Sequence, residues 1–525
     1  MKFGFSGSRL SLNGLAARFS RFSTVKALGA VFLFGFLVRL VPEVLAFSLP
    51  IGWDQVDYAV VMKNGVVWAN WAQFFTSTWL LYAVTVPLHA VTGIDPFVLL
   101  KVVAPALYGL TVAGVYWFGS KLLRWDVKMC LVAVGLFAFQ LASLRVSWDF
   151  LRNTLGMGLL LFTLPLVERV GSKGGFVAFA VLSLLTVFAH EYAAVTWVFV
   201  VLGLLVWRLV KGRFNVGSVR ILLAGLPALA IFVVGMYLRF FPVYFEGEAS
   251  NVLSTGEVSA GTYGFMVNYL AVNAWNWSYA SYWSLFYEVV LLFGFLYLPY
   301  LFLVWKGYFR NCVLNLWLSL LLVGAFGCLV VPFFALDLWA RWMFLLVYPF
   351  TFYAVCGLFR IYRSSPKGGV LVGRAKLVAV AGLAVLFSLG CAYLFTPLLA
   401  QTEIYGVAPV DISVHFGAAP TVPYQDVEGV THAMHWLDEN MGNDSFVILH
   451  HALLPWGRLY LDKSRVMVEY YDNVDKAVNV GLDRGYAHAF CVWWGEPISW
   501  YNFSLPQSFV GVQDFDRISV YVYEV

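Results

Sequence analysis

Apolar blocks of about 20 residues recur between residues 27 and 397, separated by short polar turns. Helices of that length, rising roughly 1.5 Å per residue, cross a hydrocarbon core of roughly 30 Å. The pattern predicts eleven membrane spans, at 27–48, 98–120, 129–146, 150–167, 175–189, 192–207, 220–240, 284–304, 311–333, 340–359 and 377–397. Two stretches strain it. Residues 78–95 are apolar but interrupted by Pro87 and His89, and read as lying in the outer interface. Residues 175–207 are one apolar stretch around His190-Glu191, read as a hairpin of two short spans. Beyond residue 397 the period changes to short alternating elements. An amphipathic helix (425–441) precedes a strand (Phe446–His450), a helix near 452–461 and a strand (Arg465–Tyr470). A helix around 472–483 and strands near 488–494 and 518–523 follow, an α/β alternation that predicts a small sheet with helices against it. The Pro- and Gly-bearing segment 405–424 reads as a linker or docking strap.

Composition sharpens this picture. The 525 residues are 61% hydrophobic and only 12% charged, which excludes an ordinary soluble enzyme and a disordered chain. The net charge of +5 hides a split: residues 1–397 carry a net +15 and residues 398–525 a net −10. Two bodies are expected, a membrane domain (1–397) and an acidic α/β domain (398–525). Positive charge in short loops reports orientation rather than nucleic acid, so no nucleic-acid partner is expected. The N-terminal segment and the loops at 121–128, 169–173, 208–220, 306–310 and 360–376 hold 21 of the 28 Lys/Arg before residue 398. The positive-inside rule then puts the N-terminus inside and the tail outside. Making 78–95 a crossing and 175–207 a single span also gives eleven, but it moves Lys121, Arg124, Lys128, Arg169 and Lys173 outside, against that rule. The six cysteines show no ligand spacing, and Cys491 stands alone in the tail.

This topology gathers ionisable groups at the outer membrane face: Arg39, Glu43, Asp54, Asp57, Arg145, Asp149, Arg152, His190, Glu191, Arg239, Asp337 and Arg341. Charges near hydrocarbon are costly, so they face one another or water and mark functional sites. Arginines hold phosphate by bidentate hydrogen bonds, and a carboxylate can accept a proton from a hydroxyl. Arg145, Asp149 and Arg152 stand at i, i+4 and i+7, so one helical face can pair them. His190-Glu191 can cap a hairpin or help bind a divalent ion. In the tail, His432, His435, His450 and His451 lack a matching third ligand and read as packing or surface histidines. There is no Walker loop and no GxSxG elbow.

The first span with Arg39, GWDQVDYA (52–59), SWDFLRN (147–153), AHEYA (189–193) and LWARWMFLLVYPF (338–350) together resemble the GT-C superfamily of membrane glycosyltransferases. The resemblance covers roughly residues 25–397. It is closer to protein-mannosyltransferase and lipid-A-aminoarabinose-transferase members than to oligosaccharyltransferases, whose WWDYG signature has only VWWGE (492–496) opposite it here. The resemblance implies a multi-pass cell-membrane enzyme whose active site and C-terminal domain are extracytoplasmic. Its donor would be a polyprenyl-phosphate sugar among membrane lipid, and its acceptor a glycan, lipid or protein hydroxyl. It implies Asp54, with Asp57, as the catalytic carboxylates, and Arg341, then Arg152 and Arg239, on the donor phosphate. Asp149, His190 and Glu191 would support the site or hold a divalent cation such as Mg2+ or Mn2+. Trp53 and Tyr58 would stack on sugar. Two other classes fit the composition: a secondary transporter, and a non-catalytic membrane scaffold for cell-surface assembly.

Overall fold

The computed structural model describes residues 23–46, 49, 51–66, 71–240, 251–255, 279–330, 339–363, 369–401, 415–417, 419–471, 473–494, 505 and 508–523. The protein is a polytopic helical membrane protein with a small C-terminal sheet. Among the described residues eight helices are long and apolar enough to cross a membrane, or nine if one bent pair counts as a span. Large apolar side chains stay exposed along them, including Leu33, Val233, Val290, Leu298, Val323 and Val385, as a lipid solvent permits.

Every predicted span coincides with helix, but not always with a span-length one. The expected spans at 150–167 and 175–189 are Leu151–Thr163, 13 residues continued as a 3-10 turn to Glu168, and Lys173–Ala189, 17 residues, both shorter than the other spans. The interface segment is a 13-residue helix, Leu80–Thr92, stopped by the left-handed Gly93. The chain does fold back at His190: the Phe179 and Trp197 rings, 18 positions apart, lie 6.4 Å from each other and both meet Gly225.

The expected span at 129–146 is instead broken. Val127–Ala138 and Leu141–Asp149 meet at 61°, with no Gly or Pro at the break. Polar side chains satisfy the carbonyls freed there. The Tyr108 hydroxyl donates to Ala138 O at 3.0 Å and Phe137 O at 3.3 Å, and the Ser143 hydroxyl lies against Phe137 O and Gln140 O. Gly390 of the last span lets the Phe139 carbonyl approach; a Cβ there would fall 1.9 Å from its oxygen. All nine residues of Leu141–Asp149 are buried, so the break drives a charged wedge into the bundle.

Four links tie the basic turns together. Arg124 pairs with Glu168 at 2.9 Å, Arg363 with Asp126 at 3.9 Å, and Arg220 donates to Gly171 O at 2.6 Å. Arg360 donates to the carbonyls of Lys306 and Tyr308 at 2.9 Å. The turns bearing Arg39, Asp54, Asp149 and Arg341 join one another at the other end of the bundle.

The sheet has six strands: β1 (Val252–Ser254), β2 (Ser445–His450), β3 (Val466–Tyr470), β4 (His488–Trp494), β5 (Phe509–Phe515) and β6 (Ile518–Tyr523), in the order β1-β3-β2-β4-β6-β5. The first four are parallel, and β5–β6 is an antiparallel hairpin against β4. Helix Leu454–Tyr460 covers one face at Leu449 and Met467, while Val474–Leu482 covers the opposite face at Phe446. The tail is thus doubly wound. Neither β1 nor β5 was expected: β1 comes from the loop before the span at Tyr279–Gly307, and β5 is an exposed edge with an irregularity between Gly511 and Gln513. The tail's apolar core runs on into the first loop, joining Leu454, Trp456 and Leu459 to Val56, Ala59 and Met62. The strap docks at its end, where Phe416 is buried between Phe344 and Phe295, each 5.6 Å away.

Candidate functional site

Asp54 closes the turn after the first span, at the N-cap of helix Gln55–Asn64, yet its side chain does not cap that helix. The turn is fixed from below by the wedge. Gly52 has φ +110°, and a Cβ on it would lie 2.7 Å from Asp149 Cβ and 2.9 Å from Trp148 O. The Gln55 amide donates to the same Trp148 carbonyl. GWDQ and SWDF are therefore held backbone to backbone, and only glycine fits at the contact.

Four charges then act most on Asp54: Asp149, Arg341, Asp57 and Arg152. Burial raises its pKa to about 7, the Asp149 carboxylate adds to the rise, Arg341 opposes it, and Asp57 and Arg152 follow in the same opposed senses. A carboxyl held near neutrality is suited to taking a proton from a hydroxyl.

The cations divide into two kinds. Arg145 is spent on structure: it ion-pairs with Asp149 and donates to His415 O. Arg39 is also structural, pairing with Glu43 at 2.7 Å and donating to Ser147 Oγ at 3.0 Å, while Lys101 closes on Glu43 from the next span at 3.6 Å. Arg341 and Arg152 form no ion pair among the described residues. The Arg341 guanidinium lies 4.8 Å from the Phe150 ring centre, and Arg145 is 4.7 Å from that same ring. Arg152 donates to Thr78 Oγ1 at 3.1 Å and lies 6.0 Å from the Tyr58 ring. Two guanidiniums without an ion pair among the described residues, both acting on one recessed carboxyl, can hold an anionic group next to a proton acceptor.

Other expected site residues fall differently. His190 caps its helix, accepting from Tyr192 N at 3.2 Å and stacking on Tyr192, whose ring meets Trp342 at 4.6 Å. That contact seats the His190 turn beside the Arg341 helix. Glu191 opens the helix His190 caps, and it is not one of the four charges acting most on Asp54. Tyr58 is buried, with Tyr82 6.2 Å away and Arg152 on its ring, so it positions the arginine and leaves no open face for a sugar. Trp53 is partly exposed. The side chain of Arg239 and the whole of Asp337 lie outside the described residues. Among the described residues no three His, Cys, Asp or Glu side chains come together as a metal site.

One grouping was not read from the sequence, that of His451 with Arg458 and Glu469 near Asp57. Burial raises the Asp57 pKa, against Arg458, His451 and Arg152 and with a contribution from Glu469. Three of these four belong to the tail domain. Its helix Leu454–Tyr460 sits on the Asp57 helix, with Lys63 Nζ donating to Leu459 O at 2.6 Å and Asn64 Nδ2 to Arg458 O at 3.1 Å. The signal in the sequence is a His-His pair ending a strand of a parallel sheet. By contrast His432 and His435 pack against Phe515 and Tyr460.

No protein-family model matches the chain, and no curated protein matches it in sequence.

Proposed function

We propose that the protein is an integral-membrane glycosyltransferase of the GT-C kind, moving a sugar from a polyprenyl-phosphate donor to an acceptor hydroxyl with inversion. The observation that carries the reading is Asp54, raised to about 7, set beside Arg341 and Arg152, neither of which is neutralised by an ion pair among the described residues.

In this mechanism Asp54 takes the acceptor's hydroxyl proton as that oxygen attacks the anomeric carbon. The carbon–oxygen bond to the donor phosphate breaks on the opposite side, and the electron pair leaves with the lipid phosphate. Arg341, with Arg152 behind it, stabilises the charge gained there; losing one such preorganised donor costs about 3–4 kcal/mol in known cases. Asp149 keeps Asp54 basic by like-charge repulsion. The eleven-span topology, with basic turns cytoplasmic and the tail domain extracytoplasmic, belongs to the same proposal.

The test is transfer of radiolabelled sugar from a polyprenyl phosphate by purified protein. Asp54→Asn should abolish transfer while the protein still folds, and Arg341→Ala should slow donor use at least a hundredfold. Undiminished transfer by Asp54→Asn would exclude it as the base. The broken helix 127–149 favours a secondary transporter instead, since such breaks line transport sites. Sugar-independent uptake of a solute into proteoliposomes, without label transfer, would establish that reading.

A further inference from the structure

In a doubly wound sheet, ligands bind outside the carboxyl ends of the strands, where successive connections leave toward opposite faces. Here that point lies between β2 and β3. The chain leaves β2 toward the face covered by Leu454–Tyr460, and leaves β3 toward the face covered by Val474–Leu482. The residues at those two ends carry chemistry. His451 follows β2, and its Nδ1 is 2.7 Å from Glu469 Oε1 of β3 and 2.7 Å from the Tyr471 hydroxyl. The His451 and Tyr471 rings stack at 4.4 Å. The pairing occupies Nδ1, while Nε2 has no partner among the described residues. His451 is 44% exposed and Glu469 18%, so the cluster is open rather than sealed. Arg458, exposed on the following helix, forms no ion pair among the described residues. The helix carrying Arg458 packs on the first-loop helix, where Asn64 Nδ2 donates to Arg458 O at 3.1 Å, and the cluster's charges act on Asp57, one helical turn from Asp54.

We infer that this crevice is an acceptor subsite for a glycan, held by His451, Glu469, Tyr471 and Arg458 with its reacting hydroxyl directed past Asp57 to Asp54. A carboxylate, an imidazole nitrogen and a guanidinium beside stacked rings offer acceptors, donors and an aromatic edge to a polyhydroxylated ring. A peptide hydroxyl would use fewer of them. The inference rests on the transferase reading for its direction, but saccharide binding does not require catalysis.

Saturation-transfer difference NMR on the full-length protein in detergent provides the test, with mannobiose, cellobiose, maltose and lactose as probes. At least one disaccharide should give a signal that falls at least fivefold in Glu469→Gln and in Arg458→Ala. It should persist in Glu439→Gln, an exposed carboxylate of helix Val427–Asn440 outside the cluster. The thermal midpoint of each variant confirms folding. No disaccharide signal, or one unchanged in both Glu469→Gln and Arg458→Ala, overturns the subsite. A signal seen only with a Ser/Thr peptide also overturns it. Binding retained in Asp54→Asn together with undiminished label transfer would sink the assignment of the base and leave the subsite standing.

Discussion

Asp54 is the residue on which stability and chemistry pull in opposite directions. Its carboxyl is raised from an ordinary value near 4 to about 7. Between those two values the unfolded chain releases a proton that the folded chain keeps, so stability falls as pH rises through this window. Asp54→Asn removes that penalty. Thermal melts should show the variant gaining on the parent from pH 4 to 7 and holding a gain of a few kcal/mol above pH 7, at about 1.4 kcal/mol per pH unit of window. An equal gain at pH 4 would contradict the account. For activity the sign is reversed, since only the ionised form accepts a proton. Rate against pH should rise through about 7, and Asp149→Asn should move that limb to lower pH by removing the neighbouring like charge. At this scale the sequence was informative because lone charges near hydrocarbon must meet, which gathered twelve groups, among them Asp54, Asp149, Arg152, Glu191 and Arg341. The i, i+4 pair of Arg145 with Asp149 was legible, but the departure of Arg152 from that face was not: the chain breaks at Phe150 and carries Arg152 to Thr78 and Tyr58. His451 reads from the sequence as a packing or surface histidine because its partners Glu469 and Tyr471 lie 18 and 20 residues along the chain, on and after the next strand.

At the scale of elements, the decisive contact is between the Asp54 turn and the wedge Leu141–Asp149. Gly52→Ala places a methyl against Asp149 and strains a positive φ, whereas Gly65→Ala, with φ +80° and open space around it, brings strain without the clash. Both should lose on the order of 1–3 kcal/mol of stability. Only Gly52→Ala should also lose transfer, by at least tenfold; equal activity in the two would show that the turn need not be held to the wedge. Hydropathy located the helices well, because apolar runs of span length have few alternatives. It could not place the break after Ala138, which no Gly or Pro marks. That break is stabilised by hydroxyls of Tyr108 on another span and Ser143 beyond the break. In the tail, alternation revealed β2, β3, β4 and β6, whereas β5 is an edge with most side chains exposed, and the irregularity between Gly511 and Gln513 breaks its alternation.

For the whole molecule, the helix Gln55–Asn64 is the joint between two bodies. Below it stand the arginines of the bundle, and above it the ends of β2 and β3. One apolar core runs through the junction, from Leu100 and Phe97 past Val60 to Trp456 and Ile448. A rigid joint of this kind predicts that the two bodies unfold together. Differential scanning calorimetry in detergent should give one cooperative transition, and Lys63→Ala with Asn64→Ala should split it or lower its temperature. Two independent transitions in the parent would contradict the joint.

The strand at Val252–Ser254 has a consequence for biosynthesis. It is made 215 residues before the positions it pairs with, and Met467 N donates to Asn251 O at 2.8 Å to begin that pairing. Residues 398–525 synthesised alone would therefore be born with a bare flank on β3, an open invitation to neighbouring copies. Such a fragment should form dimers or larger species on sizing columns, and a peptide spanning residues 250–256 should return it to single copies. In the intact chain that flank is closed by the segment between helices Val216–Phe240 and Tyr279–Gly307, so the sheet is completed only by a piece of its own membrane domain.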